Sequence, residues 1–232
     1  MDFVISEKDK VLIVAPHQDD ETFGCGGLMA KYGKQCDVLL LTDGCLGGID
    51  NFNNEKELSD IRNNELQQVC DMVKINNLFK LPIKNEELAK NKKTVYSFNI
   101  KPYKYIFLPN RQEDHPDHKI CYRIFSKMKR MQRASAQIYE YEVWTPITMP
   151  TVFFDISDVI EIKKEMIKVY KSQIIDKDYY NGIIGLNKYR GIFYNNEYCE
   201  AYKFSGYNRF SAAIYNLMPE FVKAFVRKVL SR

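Results

Sequence analysis

Five consecutive aliphatic residues, Val11-Leu12-Ile13-Val14-Ala15, offer no polar face to water, and Pro16 ends the run at once. Such a segment reads as a β-strand buried on both faces, as in a parallel sheet. Asp37 to Thr42 repeats the pattern and stops at Asp43-Gly44. Leu78 to Leu81 reads as a third strand and Tyr105 to Leu108 as a fourth, closed by Pro109. Helical spacing lies between these runs. One helix follows Gly24-Cys25-Gly26-Gly27 to about Tyr32, with Gly33 suited to a C-cap. Another covers residues 55 to 74 through Leu58, Ile61, Leu66, Val69, Met72 and Val73. A third, from about 117 to 131, sets Ile120, Ile124 and Met128 on one face. Ile138 to Trp144 and Val152 to Phe154 are later strands, and Asp158 to Gln173 is a helix with Ser157 as N-cap. Residues 82 to 102 show no clear pattern, and residues 178 to 210 are rich in Tyr, Gly and Asn. Strands alternating with helices predict an α/β layered fold with a mostly parallel sheet, whose ligands sit at the carboxyl ends of strands.

A chain of 232 residues can bury a full core, and with no repeat or linker visible it reads as a single domain over 1–232. The net charge of +4 is too small to imply nucleic acid as a partner. Six scattered cysteines form no Cys-x-x-Cys pair, which points to reduced thiols in a cytoplasmic protein. No signal peptide is visible, and the apolar runs are too short to span a bilayer.

The chemistry concentrates in two short segments. His17 lies in Ala-Pro-His-Gln-Asp-Asp-Glu (15–21), and His115 and His118 lie in Glu-Asp-His-Pro-Asp-His (113–118). These are all the histidines of the chain, each in an Asp-rich turn after a strand-like run. Histidine is the commonest neutral metal ligand, so the pattern argues for one assembled metal site. His17, Asp19 and Asp20 can reach a common centre from one loop. Neighbouring side chains on extended backbone point opposite ways, so one carboxylate can ligate while the other stays free as a base. His118 completes a His, carboxylate, His set. That set suits catalytic zinc with an open position, and equally non-haem iron, so the count leaves Zn2+ and Fe2+ both open.

These residues resemble the His-Pro-Asp-Asp-Glu and His-Pro-Asp-His signatures of the PIG-L/LmbE family of metal-dependent deacetylases. Thr42-Asp43-Gly44 ends the second strand as in that family, and Arg62 with Glu65 matches its Arg-x-x-Glu spacing. Lys164 with Ser172-Gln173, and Glu200-Ala201-Tyr202, are similar to its weaker late signatures. The resemblance implies a Rossmann-like fold and hydrolysis of the N-acetyl group of an N-acetylglucosamine-like amino-sugar conjugate. It implies zinc held by His17, Asp20 and His118, with Asp19 as general base. It implies that His115, oriented by Asp117, stabilises the oxyanion or donates a proton. Zinc can bring a water to a pKa of about 7 and polarise a carbonyl. An oxyanion donor contributes roughly 3 kcal/mol, and His115 would serve best protonated, with Asp117 favouring the charged ring. One departure is Gln18, where the family usually has Pro; Gln could relax the turn or offer a side-chain hydrogen bond.

Other readings are weaker. Gly24-x-Gly26 suggests dinucleotide binding, but eight residues separate it from the strand and the third glycine position holds Met29. The glycines read better as close packing of a helix on the sheet. A sugar-conjugate-binding relative with little turnover is the alternative to an enzyme, opposed by the intact His17, Asp19, Asp20 and His118. Arg62 is balanced between binding substrate and a helix-surface ion pair with Glu65. Tyr179, Tyr180, Tyr189 and Tyr194 read as core before sugar-stacking residues. Phe221, Val222, Phe225, Val226, Val229 and Leu230 form a helical stripe, read first as a terminal helix docked on the body. The alternative is peripheral membrane contact through that stripe and Lys223, Arg227 and Lys228. Nothing in the sequence indicates oligomeric state.

Overall fold

The computed structural model describes residues 4–175 and 177–205, together with Pro219. The aliphatic run forms strand β1 (Val11–Ala15), and every one of its residues is fully buried. Its side chains alternate between two cores: Val11, Ile13 and Ala15 enter one, Leu12 and Val14 the other. The chain continues through α1 (Asp20–Tyr32), β2 (Cys36–Leu40), α2 (Glu55–Met72), β3 (Asn77–Lys80), α3 (Lys92–Tyr96) and β4 (Tyr105–Pro109). Then come α4 (Pro116–Gln132), β5 (Gln137–Tyr141), β6 (Val152–Asp155), α5 (Ile160–Val169), α6 (Lys171–Ile174), α7 (Tyr179–Ile192) and β7 (Cys199–Phe204). The strands make one seven-stranded sheet in the order β3-β2-β1-β4-β5-β7-β6. The first five are parallel, and β7 pairs antiparallel with both β5 and β6.

Strand order reverses between β1 and β4, which pair in register from Val11↔Tyr105 to Ile13↔Phe107. Ligands of open α/β sheets bind at the carboxyl ends of strands where the order reverses. Both histidine motifs follow these two adjacent strands, so the sheet brings them together. Buried residues of α1, α2 and α5, among them Leu28, Leu66 and Met166, fill one core. Cys121, Ile124, Phe125 and Met128 of α4 fill the other.

The α1 glycines pack closely against their neighbours, as their sequence context suggested. A Cβ on Gly24 would lie 2.1 Å from the Tyr141 ring, and one on Gly27 2.3 Å from Ile156. Gly33 is not a left-handed cap: its φ is −50°. A side chain there would strike the Val73 carbonyl at 1.8 Å, so close approach to the end of α2 demands glycine.

Three local readings are corrected. The helix expected over 158–173 is broken at Tyr170 (φ −75°, ψ 56°) into α5 and α6. Ser157 does not cap it. Its hydroxyl donates to Asp155 and accepts the Glu197 and Tyr198 N–H groups, tying β6 to the entry of β7. Lys164 takes a surface pair with Glu161 and lies over the Tyr198 ring, whereas Lys163 is buried, 2.7 Å from Glu200. Residues 178–210, distinguished in the sequence only by their Tyr, Gly and Asn content, contain α7 and β7. The buried positions of α7 are Ile183, Asn187, Arg190 and Gly191, so polarity conceals its helical period. The stripe over 221–230 lies outside the described residues. Among the described residues, no helix is long and apolar enough to cross a membrane.

Lys163 and Glu200 repair a defect in α1. Cys25 has non-helical backbone (φ −133°, ψ 15°), which interrupts the helical hydrogen bonds there. Glu200 accepts the Gly27 and Leu28 N–H groups at 2.7 and 3.0 Å, and Lys163 donates to the Phe23 carbonyl at 3.0 Å. Removing one partner leaves the other buried and unpaired. Lys163→Ala is therefore expected to lower stability by about 3–5 kcal/mol. Lys164→Ala is expected to leave the denaturation midpoint essentially where it is. Chemical denaturation of the two variants checks the assignment, and equal effects would refute it.

Candidate metal centre

The first motif leaves β1 under tight backbone control. The Thr42 N–H and hydroxyl both donate to the Pro16 carbonyl, at 3.1 and 2.8 Å. Asp20 opens α1, and its Oδ2 accepts the His17 N–H at 2.9 Å. The second motif leaves β4, crosses a short loop and starts α4 with Pro116 in its first turn. His118 projects from that turn toward the first motif.

Three donor atoms then face one another. Asp20 Oδ2 lies 3.1 Å from His118 Nε2 and 3.5 Å from His17 Nδ1, and the two imidazole nitrogens are 3.2 Å apart. Four donors at about 2.0–2.1 Å from an ion, arranged as a tetrahedron, stand about 3.3–3.4 Å from one another. The triangle therefore fits one face of such a shell. Asp20 Oδ1 and His118 Nδ1 are buried with no hydrogen-bond partner, so the carboxylate retains unspent acceptor capacity. His115 stands beside this group: one ring nitrogen of each histidine falls within a 4.8 Å cluster. An oxygen with two nitrogens suits a divalent ion such as zinc or ferrous iron.

Asp19 sits next to the triangle in a rare conformation. Its φ of 113° is disfavoured for a residue with a side chain. Several contacts hold it. Its carbonyl accepts the Thr22 and Phe23 N–H groups, and its own N–H donates to Glu21 Oε2 at 3.2 Å. Glu21 is fixed in turn by the Thr22 hydroxyl at 2.7 Å and by the Tyr170 hydroxyl. The break between α5 and α6 thus occurs at a residue that braces the loop carrying Asp19. The Asp19 carboxylate makes no short hydrogen bond; Arg62 Nη2 approaches its Oδ2 at 3.5 Å.

Arg62 and Glu65 do not pair. Arg62 is 3% exposed and donates to the Gly44 and Gln18 carbonyls at 2.8 and 2.6 Å. Glu65 instead accepts the N–H and hydroxyl of Ser172. Gln18 provides the side-chain hydrogen bond open to it, from Nε2 to the Asp43 carbonyl at 3.0 Å. Gly44 is required beneath it: φ is +62°, and a Cβ would meet Gln18 Oε1 at 2.1 Å.

Asp117 acts differently from the expectation that its carboxylate orients His115. That carboxylate lies 3.3 Å from His17 Nε2 and accepts the Glu86 N–H at 2.9 Å. His115 meets only the Asp117 backbone, its Nδ1 accepting that N–H at 3.3 Å, as the N-cap of α4. Nδ1 as acceptor places the proton of a neutral ring on Nε2. Burial, with the nearby His17 and His118 charges, moves the His115 pKa down to about 4, so its ring is neutral at pH 7. The expected charged imidazole gives way to a neutral one.

The other groups divide as a working site requires. Burial opposes charge on His17, but hydrogen bonds to Asp117 and Asp20 outweigh it and raise its pKa to about 9. Burial would raise Asp20, yet His118 and His17 hold it below the usual carboxylate range. Burial pushes Asp19 well above that range, with Arg62 opposing. Two adjacent carboxylates are thereby separated in acidity, a pattern that marks acid–base sites.

Sequence reasoning missed five residues lining the site cavity, Leu46 and Gly47 of the loop after β2 among them. Asn85 and Glu86 fall in the stretch with no pattern, and Glu86 has φ +64°. Trp144 was read only as the end of a strand; it lies beyond β5, at the cavity rim.

The chain is similar to known proteins in sequence and in fold. Residues 12–129 match the family model described as PIG-L, GlcNAc-PI de-N-acetylase. A diacetylchitobiose deacetylase of Thermococcus kodakarensis is 27% identical over 199 residues, covering 75% of this chain and 74% of that protein. A probable N-acetyl-alpha-D-glucosaminyl L-malate deacetylase 2 of Bacillus subtilis is 25% identical over 188 residues, covering 72% of this chain and 84% of that protein. The crystal structure of an N,N'-diacetylchitobiose deacetylase from Pyrococcus horikoshii superposes with a TM-score of 0.74 at 22% identity, covering 85% of this chain and 84% of that one.

The donor triangle generates a direct expectation. The protein should bind one divalent ion per chain. Asp20→Ala or His118→Ala should abolish binding, and Asp19→Asn should retain it. Elemental analysis after gel filtration reads all three. Retention of metal by the first two variants would overturn the ligand set.

Proposed function

The chain belongs to the PIG-L family of de-N-acetylases, and we propose that it hydrolyses the N-acetyl group of an N-acetylglucosamine conjugate with one divalent ion at His17, Asp20 and His118. The observation that carries this reading is the donor triangle beside a buried, weakly paired Asp19. Both curated relatives are named as deacetylases of N-acetylglucosamine compounds, which supports the substrate class. When bound, such an ion acidifies a water and polarises a carbonyl; zinc is our choice of metal.

The chain's own groups supply the remaining chemistry. Asp19 takes the proton of the attacking water. Its burial makes it a stronger base than an exposed aspartate, and its short side chain is held in place through the strained backbone. His115, neutral with its proton on Nε2, donates to the carbonyl oxygen as charge develops there. Asp19, once protonated, can pass that proton to the leaving amine. The Asp117 carboxylate orients His17 through Nε2, leaving Nδ1 for the ion, as carboxylates do for metal-bound histidines. Arg62 fixes the loops that carry Gln18, Asp19 and Gly44, and we assign it a positioning role ahead of a substrate contact. A sugar-binding relative without turnover would have no use for an aspartate strained and buried at that point. All six cysteines are buried and none forms a disulfide, which supports a cytoplasmic location.

Two outcomes are expected. Asp19→Asn should keep the metal and lower acetate release from N-acetyl amino sugars by roughly a hundredfold or more. Unchanged turnover would remove Asp19 from the mechanism. The second concerns protons. His17 in the metal-free protein has its pKa raised from 6.5 to about 9, so at pH 7 it must lose a proton when the ion binds. Apparent metal affinity should therefore climb by up to about tenfold per pH unit and level off above about pH 9. Calorimetry at pH 7 in buffers of different ionisation enthalpy should count roughly one proton released; zero would contradict the assignment.

A further inference from the structure

The cavity at the site has a volume of about 160 Å³. Small-molecule sites usually occupy roughly 300–1,000 Å³. A space of this size takes the reacting N-acetyl group and little beyond its own sugar ring, so the remainder of a conjugate must rest on the rim. Trp144 is on that rim, 43% exposed.

The indole is held there by two devices. The carboxylate of buried Glu113, the first residue of the second motif, accepts the N–H groups of Val143, Trp144 and Thr145, each at 3.1 Å. The Tyr179 ring meets the indole edge-on, with centroids 4.8 Å apart and planes at 69°. A large apolar surface is thus fixed, half-exposed, beside a polar cavity.

Charge narrows the class further. The cavity lining carries the carboxylates of Asp19, Asp20 and Glu86. Its Arg62 is committed, both terminal nitrogens donating to carbonyls of Gly44 and Gln18. Among the described residues lining the cavity, no lysine or further arginine is present to receive an anion.

We propose that Trp144 is a stacking platform for the group attached to the reacting sugar, and that this group is a neutral ring, a second pyranose or an aryl group, and not an anion. The proposal rests on the deacetylase reading of the same site.

Trp144 is the chain's single tryptophan, so emission excited selectively from tryptophan, beyond the tyrosine absorption band, reports on it alone. The test uses the intact, metal-loaded protein. The probes are N-acetylglucosamine, its β-1,4-linked disaccharide, its phenyl glycoside and its 1-phosphate. The disaccharide or the phenyl glycoside should shift the emission, and the tighter of the two identifies the ring. The 1-phosphate should not. Trp144→Ala should raise KM for the preferred glycoside roughly tenfold while lowering kcat far less, and Trp144→Phe should restore most of the loss. The variant should change KM for the monosaccharide less than for the glycoside. Unshifted emission at saturating glycoside, or preference for the 1-phosphate, overturns the proposal. An emission shift without acetate release from any probe sustains the platform and overturns the deacetylase reading instead.

Discussion

Five carboxylates, Asp19, Asp20, Glu21, Glu113 and Asp117, are buried at the carboxyl end of the sheet around the junction of β1 and β4. Burying even one without compensation is costly, and much of the surrounding structure answers that cost. Each acid is met by a different part of the chain. Glu21 receives hydroxyls from Thr22 and Tyr170, Glu113 receives three amides of the 143–145 loop, and Asp117 receives the Glu86 amide and faces His17. Asp19 has the Arg62 guanidinium at the edge of contact, and Asp20 has two histidines and a free oxygen. Asp19 is the least compensated of the five, and burial raises its pKa well above the usual range, whereas His118 and His17 hold Asp20 in its charged form. A divalent ion held at His17, Asp20 and His118, as proposed, would add further positive charge beside both carboxylates.

This requirement gives distant elements a shared purpose. The helix interruption at Tyr170 orients a hydroxyl toward Glu21, and Glu21 holds the Asp19 amide. Arg62 reaches from α2 to two loops at once, and Gln18 ties the first of those loops to the second. The Arg62–Glu65 pair, one of two roles that helical spacing left open for Arg62, does not form, because each has a buried obligation of greater consequence. A surface ion pair contributes little; an unpaired buried guanidinium or carboxylate would cost several times more.

Legibility followed the range of the interactions. β1, β2 and β4 could be read within a residue or two because burial on both faces writes itself into consecutive positions. α4 was legible from the 3.6-residue spacing of its apolar face. The candidate ligands were visible because the chain's three histidines fall in two motifs. The adjacency of β1 and β4 was not visible, since nothing local in either strand names its neighbour. Tyr170, Trp144 and Glu86 were missed for the same reason: Glu21 and Tyr170 lie 149 positions apart in the chain, a separation no spacing rule covers. α7 was missed because Asn187 and Arg190 occupy its buried face, and they are there to satisfy the Cys199 carbonyl and Glu142. The slip between Lys164 and Lys163 shows the limit of motif matching on a helix. Adjacent positions differ by about 100° in direction, so a one-residue error exchanges a core ion pair for a surface one.

The Lys163–Glu200 pair connects this ledger of buried charge to the geometry of the first motif. A straight α1 would carry a hydrogen bond from Gly27 N–H to the Phe23 carbonyl; the bend at Cys25 breaks it, and the ion pair takes up both groups. The turn from Asp20 to Gly24, packed on Tyr141, therefore takes a different direction from the segment that Gly27 packs over Ile156. The direction of Asp20 is therefore set jointly by the His17 amide it caps and by a buried ion pair one helical turn further on. A helix interior normally tolerates neither three clustered glycines nor a lysine threaded against its carbonyls. Here both serve the same end, which is to let a helix begin at a metal centre and still pack flat on the sheet.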